Sequence, residues 1–132
     1  MALLYRHERG VTMRWHRDLS CVETQFAAGA DTELLQNALE DALNLLITMD
    51  GSACIADLSA CTGLDPDAVG HWLRTTWHPR ALDAGLTRMA VVVPHNDNAL
   101  GATLQGGLDQ PAIALTFANR LQAERWLRSP VN

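Results

Sequence analysis

The chain contains no lysine, because all ten basic residues among its 132 are arginine. This absence excludes chemistry that needs a lysine amine, such as a Schiff base or the phosphate-binding lysine of a P-loop. It does not identify a function, since a GC-rich genome favours arginine codons without any selection on the protein.

The chain also lacks an apolar run of the roughly 18 residues that a membrane-spanning helix needs. Its first ten residues, MALLYRHERG, carry charge where a signal peptide would be apolar, so we expect no export signal and a cytoplasmic location. The net charge of −5 argues against nucleic-acid binding as the main activity. Length and composition predict one globular domain over residues 1–132, with no membrane partner.

Cysteines are few and lack the spacing that their chemistry needs. Cys21, Cys54 and Cys61 form no CxxC pair, so we expect buried, reduced thiols rather than a disulfide or a metal site. Cys61 precedes a predicted helix, where a thiol can have a lowered pKa, and it is the more reactive candidate. We predict no metal and no cofactor.

The segment from Cys54 to Pro94 predicts the fold class. A short apolar strand ends in Asp57-Leu58, a helix begins at Pro66, and Met89–Val93 is a second buried strand. Two buried strands that bracket a helix pair in parallel through a right-handed crossover. This unit indicates an α/β protein.

The rest of the chain adds strands on both sides of that unit. Leu3–His7, Val11–His16 and Cys21–Ala27 predict an antiparallel meander. A last strand at Ala112–Phe117 and a helix at Asn119–Leu127, capped by its asparagine, follow. The predicted fold is therefore a single mixed β-sheet with an antiparallel N-terminal portion and parallel crossovers, with helices packed against it.

A first helix is predicted from Asp31, a natural N-cap, to a glycine C-cap at Asp50-Gly51. Its apolar residues recur at helical spacing along one face. Leu43 and Ile47 lie just past the edge of that face. They either border a second packing surface, such as the contact of a homodimer, or are buried at the edge of the core.

A second helix begins with Asp65 as N-cap and Pro66 at its first position. Helical spacing turns one set of residues towards the core: Val69, Trp72, Leu73, Thr76 and Trp77. The opposite side carries His71, Arg74, Thr75 and His78. Because proline disfavours helical geometry in the residue before it, Pro79 predicts that the helix stops near Trp77.

Several landmarks follow one another along the chain: Trp15, Asp57-Leu58, Trp77-His78-Pro79-Arg80, Met89–Pro94, and Phe117 with Ala123, Trp126 and Leu127. Their order resembles the small bacterial STAS-like proteins, a SpoIIAA-like fold group that includes anti-sigma-factor antagonists. A subgroup of stand-alone domains is more similar still. The resemblance covers nearly the whole chain and implies a STAS-like fold, with a regulatory, protein-binding role in the bacterial cytoplasm.

The chain departs from that family at one place. In the regulatory STAS proteins, the strand ending in aspartate is followed by an Asp-Ser-Ser-Gly type loop whose serine is phosphorylated by a partner kinase. The corresponding stretch here has Ser59 and Thr62 but no doubled serine. A phosphate just before a helix N-terminus would be well placed, so the chemistry is plausible while the motif is absent.

The leading hypothesis is a non-enzymatic interaction or regulatory module with a protein partner. The surface it would use is the exposed side of the second helix and the loop before it: Ser59, Thr62, His71, Arg74 and His78. The two histidines are seven residues apart and lack a third ligand, so we interpret them as part of a polar surface rather than a metal site.

Two other hypotheses stay open. A carrier of a small apolar ligand would use a pocket between the sheet and the helices, formed by Trp72, Trp77, Arg80 and His95. A small hydrolase, the least supported hypothesis, would need His95 or Asp97 to be activated in the polar loop after the second buried strand. No GxSxG motif supports it, and we assign no catalytic residue.

Overall fold

The computed structural model describes residues 2–8, 10–94, 101–103 and 114–129. In that part of the chain six strands form one sheet, and their spatial order is their order in the sequence. The strands are β1 (Ala2–Glu8), β2 (Val11–His16), β3 (Cys21–Phe26), β4 (Ala53–Asp57), β5 (Arg88–Val92) and β6 (Ala114–Phe117). Pairing is antiparallel from β1 to β3 and parallel from β3 to β6, which confirms the predicted mixed sheet.

Helices pack against this sheet, as predicted. They are α1 (Thr32–Thr48), α2 (Pro66–Trp72), α3 (His78–Asp83) and α4 (Arg120–Arg128). Residues 101–103 are also helical. Within the described ranges, no helix is both long and apolar enough to cross a bilayer.

Two apolar clusters lie on opposite faces of the sheet, because successive strand residues point to opposite faces. On β4, Cys54 and Ala56 belong to the cluster under α1, α2 and α3, while Ala53 and Ile55 belong to the cluster under α4. Every residue of β4 is buried. This is the pattern of a parallel strand that helices cover on both sides.

The predicted helix starts are confirmed. Asp31 accepts a hydrogen bond from a backbone N–H of the first turn of α1 at 2.8 Å. Asp65 accepts two such bonds in α2, at 3.1 and 3.3 Å, and Asn119 accepts one in α4 at 2.9 Å. Each cap satisfies an N–H group that has no partner inside the helix and stabilises the protein by about 1 kcal/mol.

The helical segment does not stop at Trp77, and that prediction is wrong. After α2, Leu73–Trp77 form a π-helical turn, in which the backbone N–H of His78 donates to the carbonyl five residues earlier. The chain then continues directly into α3. Pro79 lies in the first turn of α3, a position that proline tolerates well.

The π-helical turn also changes which side chains face the core. Its hydrogen bond takes in one residue more than an α-helical bond, so the side chains after it are turned back around the helix axis. Trp77 stays in the core, and His78 joins it with 7% of its surface exposed. Thr76 is exposed instead. The predicted outward position of His78 and inward position of Thr76 are therefore wrong.

The end of α1 has the predicted turn at Asp50-Gly51, with the roles of the two residues exchanged. Asp50 takes the left-handed conformation, with φ of 53°. Gly51 is needed for space, because a Cβ there would lie 2.9 Å from the side chains of both Leu46 and Trp15. The glycine lets the end of α1 approach β2 closely.

The two residues at the edge of the apolar face of α1 have different environments. Leu43 is 3% exposed and belongs to the core, whereas Ile47 is 57% exposed. Edge-of-core burial therefore accounts for Leu43. A homodimer contact at Ile47 stays a prediction.

We expect Gly51→Ala to destabilise the protein by about 1–3 kcal/mol, because the added methyl group overlaps two well-packed side chains. Gly29→Ala is the matched control, since a Cβ at Gly29 has no neighbour within 4 Å. Its expected change is within about 0.5 kcal/mol. Urea denaturation of both variants measures the free energy of unfolding. Equal values for the two would show that the α1 end relaxes around the methyl group.

Candidate functional site

The carboxyl end of β4 holds a hydrogen-bonded aspartate and serine. Asp57 is buried, with 3% of its surface exposed. Its Oδ1 accepts hydrogen bonds from the backbone N–H of Ser59 at 3.0 Å and from the Ser59 hydroxyl at 2.6 Å. Ser59 itself is exposed. The aspartate therefore fixes both the backbone and the hydroxyl direction of an exposed residue.

The rest of this loop, residues 58–65, is held at further points. The backbone N–H of Leu58 donates to the carbonyl of Val92 at 2.7 Å, and that of Cys61 donates to the carbonyl of Leu58 at 2.9 Å. The Cys61 thiol and the Thr62 hydroxyl donate to two successive carbonyls just after β3, at 3.8 and 3.4 Å. These bonds tie the 58–65 loop to β5 and to the turn that follows β3.

The following helix presents two further exposed polar residues. His71 and Arg74 are both exposed, and Arg74 Nη2 lies 3.4 Å from His71 Nδ1. Residues three apart share one side of a helix, as predicted for this pair. Of the predicted interaction surface, the four exposed residues are Ser59, Thr62, His71 and Arg74. His78 is buried and lies away from that surface, because the π-helical turn directs its side chain into the core.

Cys61 is not the reactive thiol that its place before α2 predicted. It is 3% exposed, and burial, reinforced by the negative charge of Asp57, raises its pKa to about 11. Burial also raises the pKa of Cys54, to about 12, which agrees with its predicted place in the core. All three cysteines are free and buried, as expected. Thiols with raised pKa values are protonated near neutral pH and react slowly.

The residues of the predicted ligand pocket do not come together in the described structure. Trp77 is wholly buried, and its indole N–H donates to the carbonyl of Leu39 at 2.7 Å. Arg80 is on the surface, where it forms a two-point ion pair with Glu40. Trp72 is half-buried at the edge of the core. His95 and Asp97 lie outside the described residues.

Two shallow depressions open on the surface instead. One, of about 290 Å³, lies at the start of α1 and is lined by polar residues that include Asp31 and Asn37. The other, of about 270 Å³, lies beside the end of β3 and includes Thr12 and Ala60. Neither is lined by Trp72, Trp77 or Arg80. Within the described ranges no histidines, cysteines and carboxylates cluster as a metal site would require.

A buried charge cluster on the α4 face of the sheet was missed by sequence reasoning. Glu23 is 2% exposed in the middle of β3. Its Oε1 lies 2.6 Å from His16 Nε2, and Arg120 of α4 donates to both carboxylate oxygens at 2.7 and 2.8 Å. A charged residue inside a predicted strand is a signal that a partner is needed. The partner is 97 residues away, so no local pattern could reveal it.

Ion pairs continue from this cluster along α4 to the surface. Arg120 also pairs with Glu124 at 2.9 Å, and Arg128 pairs with Glu124 at 2.9 Å and with Asp18 at 2.7 Å. Asp18 lies in the single 3₁₀ turn between β2 and β3. The two pairs with Glu124 lie within α4, and the Arg128–Asp18 pair joins the end of α4 to the turn before β3. Nothing in their geometry supplies a nucleophile or an open ligand position.

The mixed sheet, its parallel crossovers and the loop that leaves β4 define an α/β protein with a STAS-like fold. A solved structure, described as that of the anti-sigma factor antagonist SpoIIAA in its unphosphorylated form, matches 100% of this chain and 100% of its own. The TM-score is 0.51, and 18% of the aligned residues are identical. The likeness shows a SpoIIAA-like fold and confirms that predicted resemblance. No protein-family model matches the chain, and neither does any curated protein.

We expect acid to remove the stability that Glu23 contributes. Burial acts to raise the pKa of this carboxyl, but hydrogen bonds from Arg120 and His16 outweigh it and hold the pKa below its ordinary value. A lowered pKa in the folded state stabilises the protein above the unfolded value of about 4.3. That contribution is lost as pH falls from there through the folded pKa.

Urea denaturation between about pH 4.5 and pH 3 measures this loss, which falls in the window set by the lowered pKa. The free energy of unfolding should fall less steeply with acid in Glu23→Gln than in the wild type. Parallel slopes in the two proteins would contradict a charge-stabilising role for Glu23.

Proposed function

We propose that the chain, as a single domain over residues 1–132, is a non-enzymatic interaction or regulatory module of the bacterial cytoplasm. The observation that carries this proposal is the 58–65 loop. Its backbone is fixed by hydrogen bonds to β5 and to the Asp57 carboxylate, and the Thr62 hydroxyl joins it to the turn after β3, while Ser59 and Thr62 stay exposed. Binding to a preformed loop costs less conformational entropy than binding that must first order a flexible loop.

Arg74 extends this surface along α2. A guanidinium group pairs with a carboxylate through two parallel hydrogen bonds, and arginine is enriched among the residues that dominate protein interfaces. Arg80 already binds both carboxylate oxygens of Glu40, at 2.7 and 2.9 Å. Arg74 has His71 as its neighbour instead. We therefore infer that Arg74 is the residue that meets an acidic group on the partner.

The fold supports a protein partner, since the similar solved structure is described as an anti-sigma factor antagonist. The geometry at Ser59 works against a phosphorylation switch there. The Ser59 hydroxyl is engaged with Asp57, and a phosphate in its place would be repelled by that buried carboxylate. We infer that the unmodified hydroxyl is the form that contacts the partner.

The free, buried thiols fit a reducing compartment, which supports a cytoplasmic location. No observation favours the apolar-ligand carrier. Trp77 is packed and hydrogen-bonded inside the core, and Arg80 is paired on the surface, so the two do not wall a common pocket. The hydrolase hypothesis depends on His95 and Asp97, which lie outside the described residues. The geometry of the 58–65 loop gives it no support.

We expect Arg74→Glu to abolish capture of the partner protein from a lysate of the native cell, because the reversal places like charges together. Arg125→Glu is the matched control, since Arg125 is an exposed arginine on α4. It should retain the partner. Quantitative mass spectrometry of the captured proteins makes the comparison, with wild type as the reference.

Two results would contradict the proposal. One is capture that is equally strong with Arg74→Glu and with Arg125→Glu, which would place the interaction elsewhere. The other is a small molecule that leaves the purified wild-type protein on denaturation in native mass spectrometry, without any protein captured. That second result would favour the carrier.

A further inference from the structure

α4 makes a smaller apolar contact with the sheet than α1 makes on the other face. Among the residues of α4 only Ala123 is fully buried, with half-buried Trp126 and Leu127 beside it. In α1, by comparison, six residues are buried: Leu35, Ala38, Leu39, Ala42, Leu43 and Leu46. Since apolar burial is the main force that holds a helix in place, α4 contributes a much smaller apolar contact.

Polar contacts supply much of the attachment of α4. Its first turn is held by Arg120 on Glu23, and its last turn by Arg88, whose Nη1 donates to the carbonyls of Trp126 and Ser129. The Arg88 guanidinium also lies 5.1 Å from the ring centre of Trp126. An arginine thus holds each end of the helix. These contacts are all lost when the helix moves away from the sheet. Water then solvates the charged groups on both sides.

The outer part of the attachment is exposed to water. The side chains of Arg128 and Asp18 are 50% and 44% exposed, and exposed ion pairs stabilise little. α4 has nine residues, and only Ala118 and its cap Asn119 separate it from β6. An element with few buried apolar contacts opens at lower free energy than the rest of a protein.

We propose that α4 is a releasable cover, which opens as a unit while the sheet and the helices on the opposite face stay folded. Opening uncovers an apolar strip on the sheet, formed by Cys21, Ala53, Ile55, Ala90 and Val92. Loss of the Glu23–Arg120 ion pair would shift the protein towards the open form. The device is separate from the 58–65 loop and from α2.

Two cysteines report on this opening from opposite faces of the sheet. Cys21 is 0% exposed and lies in the apolar cluster that α4 completes, while Cys54 is 1% exposed under α1 to α3. The two thiols are therefore equally buried, but different helices shield them from solvent. If α4 opens alone, a thiol reagent reaches Cys21 without reaching Cys54. If the protein exposes thiols only by unfolding completely, both react together.

The experiment is labelling of the native protein with a thiol reagent, followed by peptide mass spectrometry that assigns each label to its cysteine. In the wild type we expect Cys21 to react about tenfold or more faster than Cys54, because labelling follows the population of the open form when opening is fast and reversible. Equal rates for the two cysteines would overturn the proposal.

Variants test the cause of the opening. The double change Glu23→Gln with Arg120→Gln, which leaves no unpaired buried charge, should speed labelling of Cys21 and leave Cys54 unchanged. Arg128→Gln, at the exposed end of the ion-pair chain, should speed labelling of Cys21 only slightly, because exposed ion pairs stabilise little. Arg80→Gln breaks a two-point ion pair between α3 and α1 and is the matched control. It should leave the rate at Cys21 at the wild-type value. Acceleration of Cys54 as much as Cys21 in the α4 variants would overturn the proposal.

Discussion

β4 has every side chain buried, and a parallel strand in that position must be covered by helices on both faces. This constraint arranges the rest of the molecule. Three helical segments, α1 to α3, pack on one face and α4 on the other, and polar groups near β4 can emerge only at its ends. Asp57, the last residue of β4, is where they do so. Its hydrogen bonds to Ser59 begin the only loop segment that we assign to partner binding.

Covering the second face introduces charge into the interior. Glu23 and Arg88 are nearly inaccessible to water, and a buried charge is tolerated only with well-placed partners. α4 supplies those partners, through the Arg120 side chain at its start and backbone carbonyls at its end. While α4 is in place, the sheet and the helix therefore satisfy each other's polar groups. The helix neutralises the carboxylate of β3, and the arginine of β5 satisfies the last turn of the helix.

Local chemistry made much of the fold predictable from sequence. Asp31, Asp65 and Asn119 act on N–H groups two or three residues away, so each helix start could be located without the rest of the chain. The strands followed from apolar runs between turn residues. The Glu23–Arg120 pair, by contrast, joins residues that only the folded topology brings together. Cys61 was misjudged because its burial depends on residues after β3.

The π-helical turn has a consequence for how related chains should be compared. It is equivalent to one extra residue inserted between α2 and α3. A relative that lacks this residue would align with a one-position gap at Leu73–Trp77 and would have an uninterrupted α-helix there. In such a chain the residue equivalent to His78 would still lie in the core, because the bulge takes up the extra residue without changing the direction of the side chains that follow it. The π-helical turn thus lets this stretch hold one residue more than an α-helix would, while α3 keeps its packing on the core.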